Sequence, residues 1–600
     1  MMKGFLIVAG AVLVALGSIV PGAAYAPGGP VLLRDGVAGA DTVPLLMLFP
    51  DAYSAPPGQN RPQPDTTIEP SISVNPGNPL NAIAVYQVDR VAGGGDADNG
   101  FATTFDGGVT WTYGYLPGLT YAVVPTNKCP RPAAAGVGPQ CTFDRASDAV
   151  IAWGADPANP GKYFAYANSL VFNDGSISGD ANKLNSGMAM NVSKDGGLNW
   201  SDAVFLEQDS IAGQNDKNWI VADNGSGVGH HTGRLYLVWD RVAPLVYTYC
   251  DPDVVASVAT GAGCDKAANW TSAHNGSFYP FNVNAGIGSY PVVMPNGSLG
   301  VLFQGDFAGV CPVPNPPTDQ PDCGVNTELQ FVLAPAAGAV AWPAPLTFTT
   351  AVGIASNQTA CCAEQRAGTL PSLAVDPVTG QLYAAWEDAR FRTDTGNDIL
   401  FSTSSDGAGA TWSAATLGAR VNQGPVNDHQ DHWNAMIDVG KDGKVHVAYM
   451  QRDETPGVDP GPWSATGLSR YLHAYYQESS DHGATWTAPL RVDTKGTDVG
   501  YGAYSRGGEF QGDYNQISTA SNGWSYIVRT VAGPKTPGEP CNCNFADAPS
   551  GHQHQNTWVS VVGPPATPVV PEFPLNPALV VLGSVLLLLG LRLRLVGRRT

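Results

Sequence analysis

Acidic and basic side chains are scarce in this chain, and they cluster where short apolar segments begin or end. Only 14% of the 600 residues are charged. An arginine fork binds a carboxylate through two parallel hydrogen bonds, and a carboxylate can transfer protons in catalysis. The pattern therefore allows recognition of an anionic ligand, proton transfer, or both. The charged residues selected on this basis are Asp216, Arg241, Asp388, Arg390, Arg452 and Asp513.

The same charged positions also have a structural explanation. When a carboxylate and an arginine recur at equivalent places of a repeat, the simplest role for the pair is to join neighbouring units. Paired charges in half-buried positions are usually satisfied structural groups rather than catalytic ones. The sequence leaves both interpretations open.

A separate segment, DHQDH at residues 428–432, contains residue types that bind metals. The candidate ligands are His429, Asp431 and His432. Imidazole and carboxylate groups suit zinc and other transition metals, but the segment has no helical frame that would aim two histidines at one ion. The sequence therefore allows a divalent metal here and requires no cofactor.

The apolar segments that must position these side chains form seven pairs, each joined by a turn. Alternation with a period of two and turn residues between the segments predict β-hairpins. A third strand follows in most units, as at 399–403, and a fourth would complete each unit. Four-stranded units repeated in a circle make a β-propeller, which protects its sheet edges by closure. The predicted hairpins are 69–74 with 82–86, 148–153 with 163–166, 218–222 with 234–239, 290–294 with 299–303, 370–375 with 381–386, 433–437 with 444–449, and 514–518 with 524–528.

A local pattern of serine, aspartate, glycine and tryptophan recurs four times along the chain. Segments 193–200 (SKDGGLNW) and 479–486 (SSDHGATW) match it fully, 104–111 has threonine for serine, and 404–412 has one extra residue. The pattern resembles the Asp-box of the sialidase and BNR-repeat propellers, and this resemblance extends over residues 65–562. Aspartate and serine bond the backbone of a tight turn, glycine supplies positive φ, and tryptophan packs below. We therefore interpret four aspartates as structural rather than catalytic: Asp106, Asp195, Asp406 and Asp481.

The predicted fold class is accordingly all-β, a β-propeller of four-stranded blades with Asp-box turns. The seven hairpins favour seven blades. Six blades are the alternative, because the sialidases that the chain resembles have six and one hairpin could belong to a lid or a closing strand.

The resemblance also implies a chemistry. Sialidases use a tyrosine nucleophile paired with a glutamate, an aspartate as acid/base, and three arginines that bind the substrate carboxylate. This chain departs from the family because no Arg-Ile/Leu-Pro motif precedes the first hairpin, and neither Arg34 nor Arg61 matches it. No catalytic residue is therefore carried over by motif. Position alone suggests Tyr514 with Glu509 as the nucleophile pair, Asp216 as acid/base, and Arg241, Arg390 and Arg452 as the clamp, with Asp388 and Asp513 beside them.

The cysteines indicate an oxidising compartment. Three pairs each close a short loop, which is typical of disulfides in extracellular proteins. The predicted pairs are Cys129 with Cys141, Cys250 with Cys264, and Cys311 with Cys323. The pairing of Cys361, Cys362, Cys541 and Cys543 stays open, and their spacing is not that of a zinc ribbon.

The two ends of the chain predict export and anchoring. Residues 1–26 have the basic start, apolar run and small-residue cleavage site of a signal peptide. We assign 27–64 to an N-terminal linker, 65–562 to the propeller, 563–574 to a proline-rich stalk, and 575–600 to a transmembrane or sorting segment. The motif VVPEFP, followed by an apolar run and arginines, resembles the sorting signals of archaeal surface proteins. The predicted location is extracellular and anchored at the cell surface, with the C-terminal segment in contact with the membrane.

Charge narrows the choice of partners. The net charge of −20 makes nucleic acid a poor partner, since a phosphate backbone would be repelled. The hypothesis we favour is a propeller that recognises a glycan or another surface protein. Hydrolysis of a glycoside is the second hypothesis, and a structural role in the cell envelope is the third. Fold alone does not decide among them.

Overall fold

The computed structural model describes most of residues 29–565, and the segments that follow refer to that part of the chain. The described ranges are 29–41, 62–120, 143–173, 186–208, 215–241, 244–252, 263–271, 279–281, 286–305, 326–341, 344–358, 365–366, 370–393, 396–426, 428–453, 471–505, 508–540 and 553–565. The predicted signal peptide (1–26) and most of the predicted stalk and C-terminal segment lie outside the described residues. Within the described ranges no helix is long and apolar enough to cross a membrane.

The first half of the chain forms three antiparallel sheets after an N-terminal strand, β1 (Val31–Gly39). Sheet I contains β2 (Thr67–Val74), β3 (Ala82–Arg90), β4 (Asp96–Thr104) and β5 (Thr112–Tyr115). Sheet II contains β6 (Arg145–Ala155), β7 (Tyr163–Phe172), β8 (Ser186–Ser193) and β9 (Val204–Gln208). Sheet III contains β10 (Asp216–Ala222), β11 (Leu235–Asp240), β12 (Leu245–Cys250) and β13 (Tyr279–Pro280). One pairing, Asp96 with Ala146, links sheets I and II.

The second half adds four more sheets and one small one. Sheet IV contains β14 (Gly286–Val293), β15 (Leu299–Gly305), β16 (Asn326–Ala334) and β17 (Val352–Gln358). β18 (Gln365–Arg366) belongs to a small three-stranded sheet whose other strands come later in the chain. Sheet V contains β19 (Ser372–Val375), β20 (Leu382–Asp388) and β21 (Asp398–Ser404). Sheet VI contains β22 (Gln430–Val439), β23 (Val445–Asp453), β24 (Tyr471–Ser479), β25 (Leu490–Arg491) and β26 (Thr497–Asp498). β27 (Ala503–Ser505) and β28 (Gly508–Phe510) join β18. Sheet VII contains β29 (Gln516–Thr519), β30 (Ser525–Ala532) and β31 (Gln555–Gly563). Short 3-10 turns lie at Ala267–Asn269, Ala337–Ala339, Leu417–Ala419 and Val499–Tyr501.

The seven hairpins predicted from the sequence are all present as the first two strands of sheets I to VII. Their local cause is visible in the first one, where Asn75 starts the turn between β2 and β3. Its side chain accepts the Gly77 N–H at 2.9 Å, and its N–H bonds the Asn81 carbonyl at 2.9 Å. Such a side-chain bond to the backbone two residues on reverses the chain direction.

The first strands of the seven sheets contact one another in a cyclic order. β2 contacts β6, β6 contacts β10, and the series continues through β14, β19, β22 and β29 back to β2. Buried apolar residues of adjoining sheets pack together: one core cluster, for example, joins Ile72 of β2 to Val528 of β30. The first strands are therefore the innermost part of the unit that extends from Pro30 to Gly563.

The N-terminal strand lies in the last sheet. β1 pairs with β31 from Val31 opposite Gly563 to Gly39 opposite Thr557. The buried carboxylate of Asp35 accepts a hydrogen bond from Arg529 at 2.8 Å. Part of 27–64, which the sequence analysis assigns to a linker, is thus the fourth strand of sheet VII. The alternation in β1 is weak, which is why its sequence does not predict a strand.

The four Asp-containing turns follow the third strands of sheets I, II, V and VI. In the second of them Asp195 accepts hydrogen bonds from the Asn199 N–H and the Ser193 hydroxyl, both at 2.9 Å. The turn tryptophans pack on an aromatic ring of the preceding sheet: the centroids of Trp200 and Phe101 are 5.6 Å apart, and those of Trp486 and Phe401 are 5.2 Å apart. Each such turn therefore fastens one sheet to its neighbour.

Candidate functional site

Five first strands begin with the same irregularity. The register of each shifts by a β-bulge before its second hydrogen-bonded segment. One residue of each bulge has positive φ: Glu69 (50°), Asp148 (44°), Lys217 (47°), Gly288 (67°) and Asn434 (52°). This conformation suits glycine and costs about 1 kcal/mol or more for other residues. Four non-glycine residues are thus held in a strained conformation where the inner strands meet.

Carboxylates of one sheet hold the strained backbone of the next. The Lys217 N–H donates to Asp148 at 3.0 Å, and the Asn434 N–H donates to Glu387 at 2.7 Å. The Asp513 N–H, just before sheet VII, donates to Glu69 of sheet I at 2.9 Å. These bonds explain why the strain persists, since the neighbouring sheet fixes the conformation.

Lys217 carries the positive charge of this region. Its Nζ lies 2.5 Å from the Asp513 carboxylate and 3.9 Å from that of Asp216. The Lys217 and Asp513 side chains are 11% and 7% exposed, whereas that of Asp216 is 51% exposed. Burial alone would lower the pKa of Lys217, but the charges of Asp513 and Asp216 raise it well above its usual value.

Three carboxyls near Lys217, those of Glu69, Asp148 and Asp240, have raised pKa values. Burial raises the pKa of Glu69, and the charge of Asp513 adds to that effect. Burial likewise raises the pKa of Asp148 and Asp240, and in both the charge of Asp216 adds to the rise. Perturbed pKa values of this kind concentrate at functional sites.

A small cavity lies beside this cluster, and we call it the central cavity. Three aromatic rings line it: the centroid of Trp219 is 4.4 Å from that of Tyr290 and 5.5 Å from that of Tyr514. Its volume is about 20 Å³, room for about one water molecule. Lys217 and Asp513 also lie on its wall.

Several polar atoms in the wall of the central cavity are buried without a partner. The residues that carry them are each less than 9% exposed. Buried polar atoms are nearly always hydrogen-bonded in native proteins, so a group of unpaired ones needs an explanation. The atoms without a hydrogen-bond partner among the described residues are Asn218 Oδ1, Ser289 Oγ, Asn434 Oδ1 and Asn515 Oδ1.

Tyr514 and Asp513 both lie in the cavity wall. The acidic residues near Tyr514 are Asp148, Glu69 and Asp513 rather than the predicted Glu509. Burial raises the pKa of Tyr514 well above its usual value, and the charges of Asp148, Glu69 and Asp513 raise it further. Glu509 lies in β28, where it pairs with Tyr504 of β27. The acid that bonds next to Tyr514 is Glu69, through the Asp513 N–H.

The three arginines of the predicted clamp are not among the residues that line the central cavity. Arg390 binds Asp388 of its own sheet, with Nε 2.9 Å from Oδ1. Arg452 lies 3.8 Å from Asp431 of the adjacent strand and over the ring of Trp433. The half-buried Arg241 donates its backbone N–H to the Pro244 carbonyl at 3.1 Å. Arg390 and Arg452 are therefore paired with carboxylates, but these pairs lie within one sheet and do not join neighbouring units as the structural alternative predicts.

The DHQDH segment does not form a metal cluster. Asp431 accepts two hydrogen bonds from Asn397, at 2.8 and 2.9 Å, and His432 Nδ1 lies 2.9 Å from the Asn397 carbonyl. Burial lowers the pKa of His432, and His429, just before the strand, has a φ of 60°. In the described part of the chain no three His, Cys, Asp or Glu side chains are arranged to hold a metal ion.

One of the predicted disulfides lies in the described residues. Cys250 and Cys264 are joined, and they close a loop after the third strand of sheet III. The remaining cysteines lie outside the described residues: Cys129, Cys141, Cys311, Cys323, Cys361, Cys362, Cys541 and Cys543.

Sequence reasoning missed most of the uncharged groups of the site. Trp219, Tyr290, Asn434 and Asn515 were assigned only to strands. A signal was present, because each lies at or just before the first strand of a hairpin, where Glu69, Asp148 and Lys217 also lie. Glu69, Asp148, Lys217 and Asn434 have positive φ. The sequence does not reveal this conformation, because only glycine is typical of it.

Comparisons with known proteins place few limits on function. No family model matches the chain, and no curated protein matches it. Among solved structures, a protein of unknown function from Dyadobacter fermentans is 11% identical, with a TM-score of 0.37 and coverage of 89% of this chain and 99% of that one. The α-L-arabinanase of Penicillium chrysogenum is 10% identical (TM-score 0.36, coverage 89% and 98%), and the intramolecular trans-sialidase of Ruminococcus gnavus is 16% identical (TM-score 0.36, coverage 66% and 91%). This similarity is too low to assign an activity, so function must be argued from the residues of the chain itself.

Proposed function

We propose that this protein is a seven-bladed β-propeller displayed at the cell surface, and that its central cavity recognises an uncharged, hydroxyl-bearing ligand such as a neutral glycan. Seven sheets whose first strands contact one another in a cycle support the propeller. The pairing of β1 with β31 supports its closure by both ends of the chain. Display at the surface rests on the sequences of the two termini.

The observation that carries the recognition role is the group of unpaired polar atoms in the central cavity. Amide oxygens and hydroxyls accept and donate hydrogen bonds to ligand hydroxyls. Ligand sites combine apolar and aromatic walls with a few converging polar groups. Trp219, Tyr290 and Tyr514 supply the aromatic walls, and Asn218 and Asn515 are among the polar groups.

The size and charge of the site define the ligand further. A cavity of about 20 Å³ accepts one hydroxyl or hydroxymethyl group rather than a whole sugar ring. Carboxylates outnumber the one lysine beside it, since Glu69, Asp148 and Asp513 all act on Lys217 or Tyr514. A ligand carboxylate would be repelled there, so the sialic acid expected from the resemblance is disfavoured.

Recognition is also favoured over hydrolysis with Tyr514 as nucleophile. A tyrosine nucleophile must approach the phenolate form, which neighbouring positive charge would stabilise. Here the nearest charges are carboxylates, and they raise the pKa of Tyr514 together with burial. Lys217, a cation in the wall of the cavity, is bonded to Asp513.

One observation favours hydrolysis by a different pair as a second candidate function. The Lys217 N–H donates to both Asp148 and Asp216, at 3.0 and 2.9 Å. The two carboxyls are therefore close enough for the paired carboxylates of a retaining glycosidase. The raised pKa of Asp148 suits an acid, and the exposed Asp216 suits a nucleophile.

The test uses the full chain on an array of neutral, anionic and cationic glycans, followed by calorimetry. Tyr514→Phe removes a hydroxyl of the cavity wall and keeps the ring, so affinity should fall about 5- to 10-fold with little change in stability. Tyr249→Phe is the matched control: its hydroxyl bonds the Ala344 carbonyl at 2.6 Å, so stability should fall and affinity should not.

Preferential binding of sialosides, or equal affinity in Tyr514→Phe, would contradict the proposed ligand class. Turnover of a neutral fluorogenic glycoside that is abolished in Asp216→Asn would move hydrolysis ahead of recognition. Surface display is checked separately, by protease treatment of intact cells that express the full chain.

A further inference from the structure

A buried lysine amine and a buried aspartate carboxylate from different parts of the chain are in contact at the inner strands. Lys217 Nζ of sheet III lies 2.5 Å from Asp513 Oδ2, just before sheet VII, and 296 positions separate them in sequence. Both side chains are nearly inaccessible, at 11% and 7% exposure. An amine and a carboxyl at this separation can react to form an amide bond. Because both groups are largely removed from water, hydration does not keep them apart.

The backbone holds the pair in this arrangement from both sides. The Lys217 N–H is bonded to Asp148 and the Asp513 N–H to Glu69. Groups held in reactive contact react as if at very high local concentration, since orientation has been achieved by folding. This arrangement differs from a surface ion pair, in which both side chains move freely.

A third group completes the chemistry. Glu69 is 2% exposed, and its carboxyl accepts the backbone N–H of Asp513 and a side-chain N–H of Gln87, so it lies next to the residue that carries the reacting carboxyl. Burial and the charge of Asp513 raise its pKa, which favours the protonated acid. A protonated carboxyl next to the reacting atoms can deliver a proton to a leaving oxygen and take one from nitrogen.

We propose that Lys217 and Asp513 form an intramolecular isopeptide bond, with Glu69 as the proton-transfer group. The Lys217 ammonium passes a proton to the Asp513 carboxylate, and the neutral amine attacks Cγ. A bond between Nζ and Cγ forms, the bond between Cγ and one carboxyl oxygen breaks, and that oxygen leaves as water. No oxidant or reductant is needed, because an ammonium and a carboxylate become an amide and one water molecule.

Two features of the site set the energetics of this step. Asp216 and Asp148 favour the ammonium form of Lys217, so the reaction follows folding and is slow. The product is favoured because an uncharged amide replaces a buried ion pair whose desolvation is costly. The bond would join sheets III and VII and close a loop of nearly half the chain, which restricts the unfolded state strongly.

The inference does not depend on ligand binding, and peptide mass spectrometry tests it directly. The full chain is reduced, alkylated and digested with trypsin. The expected product is a cross-linked peptide that contains Lys217 and Asp513 and is lighter than its two parts by one water molecule, without cleavage after Lys217. Lys495 is the matched internal control: it contacts Glu539 at 2.8 Å, and no third acid of raised pKa is recorded beside this pair among the described residues, so its peptides should be free.

Two variants assign the roles. Glu69→Gln should yield folded protein with free Lys217 and Asp513 peptides, whereas Asp513→Asn should still cross-link with loss of ammonia in place of water. Free Lys217 and Asp513 peptides in the wild-type digest would overturn the bond. A cross-link in Glu69→Gln equal to that of the wild type would overturn the role of Glu69.

Discussion

Two sets of carboxylates in this molecule have opposite properties. The turn aspartates are exposed and bonded by their own turns; hydrogen bonds from Thr485 and Ser479 lower the pKa of Asp481 to about 2. The carboxyls at the inner strands are buried, and burial raises the pKa of Glu69 and Asp148. Two of those inner residues also have strained backbones.

The difference shows that carboxyl groups have two kinds of role in this protein, one in stabilising turns and one at the inner strands. A carboxylate whose charged form is stabilised by its neighbours adds to folding stability, and this structural role is enough to explain it. A carboxyl whose charged form is destabilised by burial reduces folding stability, and groups with such perturbed pKa values concentrate at functional sites. By this criterion the four turns serve the fold, and the inner cluster is where function should be sought.

The largest expected effect comes from removing the cation of the inner cluster. Lys217→Met would leave Asp513 and its neighbours buried without a positive partner, so the free energy of unfolding should fall by about 3–5 kcal/mol. Urea denaturation measures it. Lys194→Met is the matched control, because Lys194 is 55% exposed and pairs with Asp265 at 3.2 Å, where about 0.5 kcal/mol is expected. Equal losses in both variants would remove the distinction between inner and surface charges.

An intermediate effect is expected at Asp438, a half-buried residue near the C-terminal end of β22. Burial raises its pKa to about 6, although N–H bonds from Thr519 and Val439 oppose the rise. The folded state therefore holds this proton more tightly than the unfolded state, and stability from this group falls as pH rises from about 4 to 6. Asp438→Asn should stabilise the protein by about 2 kcal/mol at pH 7, and by little at pH 4.

Denaturation curves for Asp438→Asn and the wild type across pH 4 to 7 measure that difference. The result sharpens the comparison, because the pKa of Asp438 is raised although this residue does not line the central cavity. If Asp438→Asn alters ligand affinity as strongly as Tyr514→Phe, a raised carboxyl pKa cannot distinguish the cavity from the rest of the inner strands.

The smallest effect is expected in the turns. Burial opposes ionisation of Asp406 slightly, but hydrogen bonds from Thr411 and Ala408 lower its pKa to about 2. Its stabilising contribution is present above pH 4 and is lost as pH falls towards 2. Asp406→Ala should therefore cost at most about 1 kcal/mol at neutral pH, after allowance for solvent exposure, with ligand affinity unchanged. A loss of affinity in this variant would contradict the structural role of the turns.

The sequence predicts the local elements of this fold well. Each of the seven hairpins is present, because alternation of apolar residues and turn residues such as Asn75 act over a few positions. The disulfide between Cys250 and Cys264 was predicted for the same reason, since its loop is short. Strand β1 was missed because its partner β31 is more than 500 residues away.

The candidate site was predicted in part. Asp513 and Tyr514 line the cavity, and Asp216 lies at its edge through Lys217. The three arginines of the predicted clamp do not line the cavity. Arg390 and Arg452 instead pair with aspartates of their own sheets. Sequence position places a residue near the end of a strand, but it does not say which of several charged neighbours the side chain will bind.

The sequence by itself determined the strands, the turns and the loop closed by a disulfide, because these depend on interactions between residues close in the chain. The tertiary structure alone determined that Lys217 contacts Asp513, that Glu69 bonds the backbone of Asp513, and that four unpaired polar atoms of the described residues share one cavity. The physical reason is the cyclic packing of the first strands: it brings together groups hundreds of residues apart, and their burial then sets the charges and pKa values on which function depends.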